Sequence, residues 1–302
     1  MASIEKQKDR QSFRTSIKGY LLVAPAIILL CIFTVYPIFY LIHASMLKGS
    51  IISAKKKFVG LDNYKYLFSS PDFGKVVINT VLYSFILVAV VMVLAVLVAV
   101  WINSNKNSKI NQLTQAAIFT PHITSLVAVS MVFMWLMDPQ IGFINSILTS
   151  IGLPRFSFLA SPKTALISLV LVMVWKTTGY FTLLILAALN TIPKSIYEAA
   201  ELDDTPKYRV LLRITIPMIS PTLFFTTIIA TIGSFRVFET VNLMTQGGPV
   251  NSTNTLVYYI YEYAFKYAKL GRASAAGVVL LLFVGILTFV YFKCLSKKVH
   301  YK

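Results

Sequence analysis

Six long apolar stretches, separated by polar segments, set the plan of this chain. They cover 20–42, 76–101, 115–137, 164–187, about 216–235 and about 275–294. A helix rises about 1.5 Å per residue, so about 20 apolar residues cross about 30 Å of hydrocarbon. Backbone groups cannot stay unpaired in lipid, and the runs are far too long for barrel strands. The pattern therefore predicts an all-α polytopic membrane protein with six transmembrane helices. The first run follows a polar tail, 1–19, and is too long for the apolar core of a cleavable signal. It is expected to stay as a spanning helix. The long polar stretches are 43–75, 138–163, 188–215 and 236–274, and a short tail, 295–302, closes the chain.

Composition agrees. Hydrophobic residues make up 57% and charged residues 13%, with a mean hydropathy of +0.73. A soluble globular chain has about 25% charged residues, so an ordinary soluble enzyme is excluded, and so is a disordered chain. The net charge is +17. Its basic residues sit between apolar runs rather than on one folded face, which argues against a nucleic-acid partner and for basic span ends beside anionic lipid. An acidic substrate is also compatible with the charge. The basic termini and the basic 102–114 loop favour both ends inside the cell. Cys31 and Cys294 both lie in apolar runs, without metal or disulfide spacing.

The segment between the fourth and fifth runs is the most distinctive. Pro193 and Pro206 each suit the start of a helix, so 188–215 reads as two short helices, about 194–202 and 206–215, with Asp203-Asp204-Thr205 as the turn. In the first helix Ile196, Ala199 and Ala200 fall on one side, and the two alanines allow another protein to approach closely. Composition alone would make this an ordinary surface loop.

The spacing Glu198-Ala199-Ala200, Asp203, then Ile214-Thr215-Ile216-Pro217 resembles the EAA motif of permease subunits of bacterial ABC importers, of the maltose-type, carbohydrate and glycerol-phosphate group. FVGLDNY at 58–64, FMWLMDPQIGFIN at 133–145, TQGGP at 245–249 and TLVYYIYEYAF at 255–265 agree, in order, over nearly the whole chain. The last of these also suits a helix at a membrane interface. The chain departs from the group at Asp204, where Gly is usual. Asp tolerates the left-handed conformation better than most residues, so the turn can still form.

The resemblance implies a multi-pass permease core, 76–294, in a bacterial cytoplasmic membrane. It implies a second, homologous permease subunit, two ATPase subunits and an extracellular solute-binding protein as partners, with ATP and Mg held by the ATPases and no cofactor in this chain. The 188–215 loop would be the cytoplasmic coupling helix. Glu198 would make an ionic contact with an ATPase, Ala199 and Ala200 would lie close against it, and Asp203 and Asp204 would form the turn. The 43–75, 138–163 and 236–274 loops would receive the binding protein.

An ionisable residue inside a span is expensive and usually functional. Lys176 lies near the middle of the fourth run and is expected to line the pathway. The alternatives are a snorkelling lysine, which its central position disfavours, or a partner for a carboxylate. His122 follows Pro121, at a position where the resembling permeases carry a sugar-contacting aromatic; a purely structural histidine is the alternative. Pro121 frees a carbonyl that Thr124 or Ser125 could satisfy. By the same resemblance Met173, Thr177, Ile229 and Gly233 match positions lining a sugar pocket, while Arg236 and Glu239 sit at the end of the fifth run, free to pair with each other or to guide solute. Glycerol phosphate or an acidic sugar such as sialic acid is the alternative solute, suited to Lys176, His122 and Arg236. A secondary carrier normally needs acidic residues in its spans, and none of the six has one at its core. A membrane scaffold without transport leaves the EAA-like loop unexplained. No GxxxxGK[ST], paired-His, CxxC or GxSxG motif is present, so nothing in the sequence points to an enzyme.

Overall fold

A computed structural model describes residues 20–50, 56–104 and 109–295. The expected cytoplasmic tail 1–19 and residues 296–302 of the closing tail lie outside this range. Each expected span is occupied by helix, and most run longer than the apolar core suggested. The first is α1, Tyr20–Ser45. A two-residue ladder follows, β1 (Leu47–Lys48) antiparallel to β2 (Lys57–Phe58), then a short α2, Asp62–Ser69. So 43–75 is not a simple loop between spans. The second span, α3, is Pro71–Ser104, roughly 50 Å long at the helical rise, and its first turns stand clear of the expected 76–101 core.

Two of the six expected spans are not single helices. The third divides into α4, Lys109–Ile123, and α5, Leu126–Leu136, which meet at 98°. The fifth divides into α9, Lys207–Met218, and α10, Ser220–Ser234, which meet at 74°. The second coupling-loop helix, expected to end near 215, is thus the start of this bent span. Between the pairs lie α6 (Phe143–Ser150), the unbroken α7 (Ala165–Leu189) and α8 (Lys194–Leu202). A single turn α11 (Val241–Thr245), the helix α12 (Leu256–Tyr261, continuing through Glu262–Lys266) and α13 (Leu270–Leu295) complete the chain. Counting each bent pair as one crossing gives up to six spans among the described residues.

The core forms where α7 lies along α3, with α4 also packed on α7 and α10 against α3. Tyr83, Val91 and Ala95 of α3 meet Leu169, Val172 and Ile185 of α7, all almost completely buried. Gly179 permits the closest approach: a Cβ there would overlap the Ile118 carbonyl of α4. The opposite extreme is α1. Its first turns, from Tyr20 to Leu30, are exposed, and only Ala44 and Ser45 at its end are buried, near α13. Exposed apolar surface of this extent belongs against lipid or another chain.

In the tyrosine-rich helix Leu256, Tyr258 and Tyr259 are buried against neighbouring helices. α12 is held by the Leu256 N–H donating to the Thr80 hydroxyl of α3 (2.9 Å), and Phe73 lies 5.4 Å from the Tyr259 ring.

Candidate functional site: a cavity between four spans and a loop helix at one end

A cavity of about 250 Å³ opens between α3, α4–α5, α7 and α10. Helical periodicity places its walls. Met173, Thr177 and Tyr180 follow one another at i, i+4 and i+7 on α7, and Ile229 and Gly233 stand at i and i+4 on α10, with Arg236 just beyond. Tyr83, Leu87 and Val91 close the α3 side, and His122 and Leu126 flank the α4–α5 break. Six of the seven expected pathway residues therefore meet at one cavity: His122, Met173, Thr177, Ile229, Gly233 and Arg236.

The walls are mostly apolar. The Thr177 hydroxyl donates to its own helix, at Met173 O (2.7 Å). The His122 ring lies flat on Tyr180, centroids 4.5 Å apart and planes at 12°, and its Nδ1 is buried with no hydrogen-bond partner. Arg236 and Glu239 both line the cavity and do not pair with each other; the ion pairs among the described residues are Lys65–Asp62 and Lys266–Glu262.

Lys176 is the expected pathway residue that does not line the cavity. It is 8% exposed, and its Nζ donates to the carbonyls of Pro121 (3.0 Å), His122 (3.3 Å) and Thr124 (2.6 Å). It neither snorkels nor pairs with a carboxylate. The last carbonyls of a helix have no partner within it, and a cation is favoured at that end. In lipid no water can serve instead. The break after α4 creates such carbonyls, and the Thr124 hydroxyl adds a bond to Pro121 O (2.7 Å). Each hydrogen bond involving a charged group contributes about 1.5–3 kcal/mol, enough for three to offset the roughly 2.5–3.5 kcal/mol cost of a central lysine.

The loop helix α8 occupies the expected residues, Lys194–Leu202. Glu198 and Ala199 are exposed, but Ala200 is buried at 6%, so the two alanines do not present one outward face. Asp204 takes φ +52°, the left-handed conformation that the motif places on Gly. Its N–H donates to Glu201 O (3.0 Å) and that of Thr205 to Ala200 O (3.0 Å), which closes the helix in a Schellman turn. Asp203 is exposed at the same turn. Leu202 is 90% exposed, an apolar side chain with no cover in this chain. The Tyr197 hydroxyl lies 3.3 Å from that of Thr215, joining α8 to α9.

The remaining motifs build the other end of the bundle. In FMWLMDPQIGFIN, the Asp138 carboxylate accepts from the N–H groups of Gln140 (2.8 Å) and Ile141 (2.9 Å), and these bonds, that of Ile141 foremost, hold its carboxyl below the usual range. Asn145 then bridges the carbonyls of Asp138 and Phe156, 3.0 Å each. In FVGLDNY, Asn63 donates to the carbonyls of Ser45 (2.8 Å) and Leu47 (2.9 Å).

Sequence reasoning missed Tyr180 and Leu126 as lining residues. The i, i+4, i+7 spacing from Met173 could have found Tyr180; Tyr83 and Leu87 stand in a uniformly apolar run that carries no such signal.

Four of the six spans surround an apolar cavity, and a short exposed helix lies between the fourth and fifth, an arrangement suited to a transport subunit. The chain belongs to the family of binding-protein-dependent transport system inner membrane components, whose model matches residues 92–301. It is a multi-pass permease of an ABC importer. Among its relatives is the lactose transport system permease protein LacF of Rhizobium radiobacter, 35% identical over 283 residues, covering 91% of this chain and 93% of the relative. Another is the sn-glycerol-3-phosphate transport system permease protein UgpA of Pectobacterium atrosepticum, 30% identical over 295 residues and covering 97% and 99%. Among solved structures, a bacterial alginate ABC transporter in complex with an alginate pentasaccharide-bound periplasmic protein contains a similar chain, with a TM-score of 0.82, 25% identity, and 93% and 94% covered.

Proposed function

We propose that this permease forms half of the pathway for a sugar or sugar-like solute. The observation that carries this is the meeting of His122, Met173, Thr177, Ile229, Gly233 and Arg236 at one cavity. The apolar walls and flat rings suit the apolar faces of a sugar. The three named relatives handle, by their descriptions, lactose, glycerol phosphate and alginate, all hydroxylated solutes.

A second homologous permease completes the pathway. Two ATPase subunits dock from the cytoplasm, one on α8 and one on the corresponding helix of the second permease, with Glu198, Ala199 and the Asp203-Asp204 turn as the contact on this chain and Ala200 supporting the helix from within. ATP and Mg belong to those subunits, and this chain carries no cofactor. Both termini are cytoplasmic, and the solute-binding protein docks on the opposite end. Closure of the ATPases shifts the cavity between its two states, and each ligand biases that equilibrium only by its differential affinity.

One observation favours an anionic solute as the second possibility. With Lys176 committed to backbone carbonyls, Arg236 is the basic side chain left at the cavity wall, free of Glu239. A sugar carboxylate or a glycerol phosphate would meet it.

Purification of the tagged chain in mild detergent from its own membranes, with mass spectrometry of what accompanies it, tests the assembly. A second permease and a P-loop ATPase are expected; recovery of the chain alone under conditions that preserve complexes contradicts the proposal. Screening the accompanying binding protein against neutral sugars, acidic sugars and sugar phosphates then separates the two solute classes.

A further inference from the structure

We propose that Lys176 is a positioning residue: it ties the break between α4 and α5 to α7, so that the cavity wall formed by His122 and Leu126 moves with α7. An ammonium has three N–H donors, and three carbonyls, of Pro121, His122 and Thr124, lie within reach of this one. No donor remains for solute. Two further contacts join the same pieces. Gly179, one turn along α7 from Lys176, admits the Ile118 carbonyl so closely that a Cβ would overlap it. Tyr180, the next residue, lies flat on His122. The end of α4 is thus held to α7 by three consecutive devices: a donor, a missing side chain and a ring.

α7 is unbroken for 25 residues, and it runs directly toward α8. The N–H groups of Asn190, Thr191 and Ile192 donate back to Leu186, Ala188 and Leu189, and Ile192 is buried. Little slack therefore separates α8 from α7. A displacement of α8 reaches the cavity wall through α7 and is passed to the broken span at Lys176. This transmission rests on the proposed docking of ATPases at α8; the joint at Lys176 does not.

The test uses the intact complex in membranes, with Cys31 and Cys294 replaced by Ser and Leu126→Cys as the reporter. The rate of labelling by a membrane-impermeant methanethiosulfonate is measured with and without ATP, in the Lys176 chain and in Lys176→Arg, Lys176→Gln and Lys176→Met. The resting rate is expected to change at least threefold in Lys176→Met, to change less in Lys176→Gln, and to stay near the native value in Lys176→Arg. The ATP-dependent change in rate is expected in the native chain and lost in Lys176→Met. An assembled Met or Gln variant that labels at the native resting rate overturns the joint. Failure of both to assemble would make Lys176 a folding residue and overturn the proposal equally. A native chain whose labelling ignores ATP, while the resting rate still depends on Lys176, counts against the docking at α8 and leaves the joint standing.

Discussion

The two bent spans break in different ways. Between α4 and α5 the chain turns through 98°, and the carbonyls released there are satisfied by a cation from another helix, 52–55 residues away in sequence. Between α9 and α10 it turns through 74° around Ile219, and local backbone bonds bracket the turn: Ile219 N–H donates to Thr215 O (3.1 Å) and Leu223 N–H to Ile219 O (3.0 Å). Pro221 sits in the first turn of α10, where its missing N–H costs nothing. One break is closed by tertiary structure, the other by its own backbone. The first should therefore fail when a single distant side chain is changed, and the second should not.

The largest effect is expected at the contact that brings α4 and α7 together. Gly179→Leu cannot be accommodated without separating the two backbones, since even a Cβ overlaps the Ile118 carbonyl. Overpacking of this kind costs about 1–3 kcal/mol or more. Fluorescence-detected size exclusion should find little monodisperse protein. Next comes Lys176→Met, which removes the ammonium from the carbonyls of His122 and Thr124 and leaves Pro121 O to the Thr124 hydroxyl alone, and should lower stability by about 3 kcal/mol. Its counterpart at the other break, Pro221→Ala, should change thermal unfolding in detergent by less than about 1 kcal/mol. Equal losses from the two would erase the distinction.

Thr124→Val removes one neutral bond to Pro121 O and should cost about 0.5–1.5 kcal/mol, visible only if Lys176 leaves that carbonyl incompletely served. The smallest change has the opposite sign. Asp204→Gly relieves a left-handed residue and should stabilise the α8 turn by up to about 1 kcal/mol, read as a modest rise in thermal midpoint.

The same contrast explains what could be read from sequence. The spans were legible because a 20-residue apolar run has few alternatives in lipid. α8 was legible to the residue because Pro193 starts it and the Asp203-Asp204-Thr205 turn stops it, both local signals. Pro121 announced a freed carbonyl in the third span. It did not announce a 98° break at Thr124-Ser125, and nothing near Lys176 in the chain shows that its partners are carbonyls on another helix. The positions named through the resemblance on α7 and α10 share helical faces, and all but Lys176 border one cavity. The burial of Tyr258 and Tyr259 was not foreseen, since exposed and buried tyrosines look alike until the neighbouring helices are placed. Ala199 and Ala200 misled for a related reason: both are small, but only the tertiary fold decides which one faces out.

The central claim is that α8 carries the ATPase signal to the cavity at Tyr180 and Thr177, which lie about 18 and 21 residues before Glu198 along the chain. The most direct measurement is the binding-protein-stimulated ATPase rate of the purified complex with native chain and with Glu198→Lys, alongside the amount of ATPase subunit retained. Glu198→Lys is expected to abolish stimulation and uptake while the permease still inserts and purifies in native amount. Native stimulation in that variant would contradict the account.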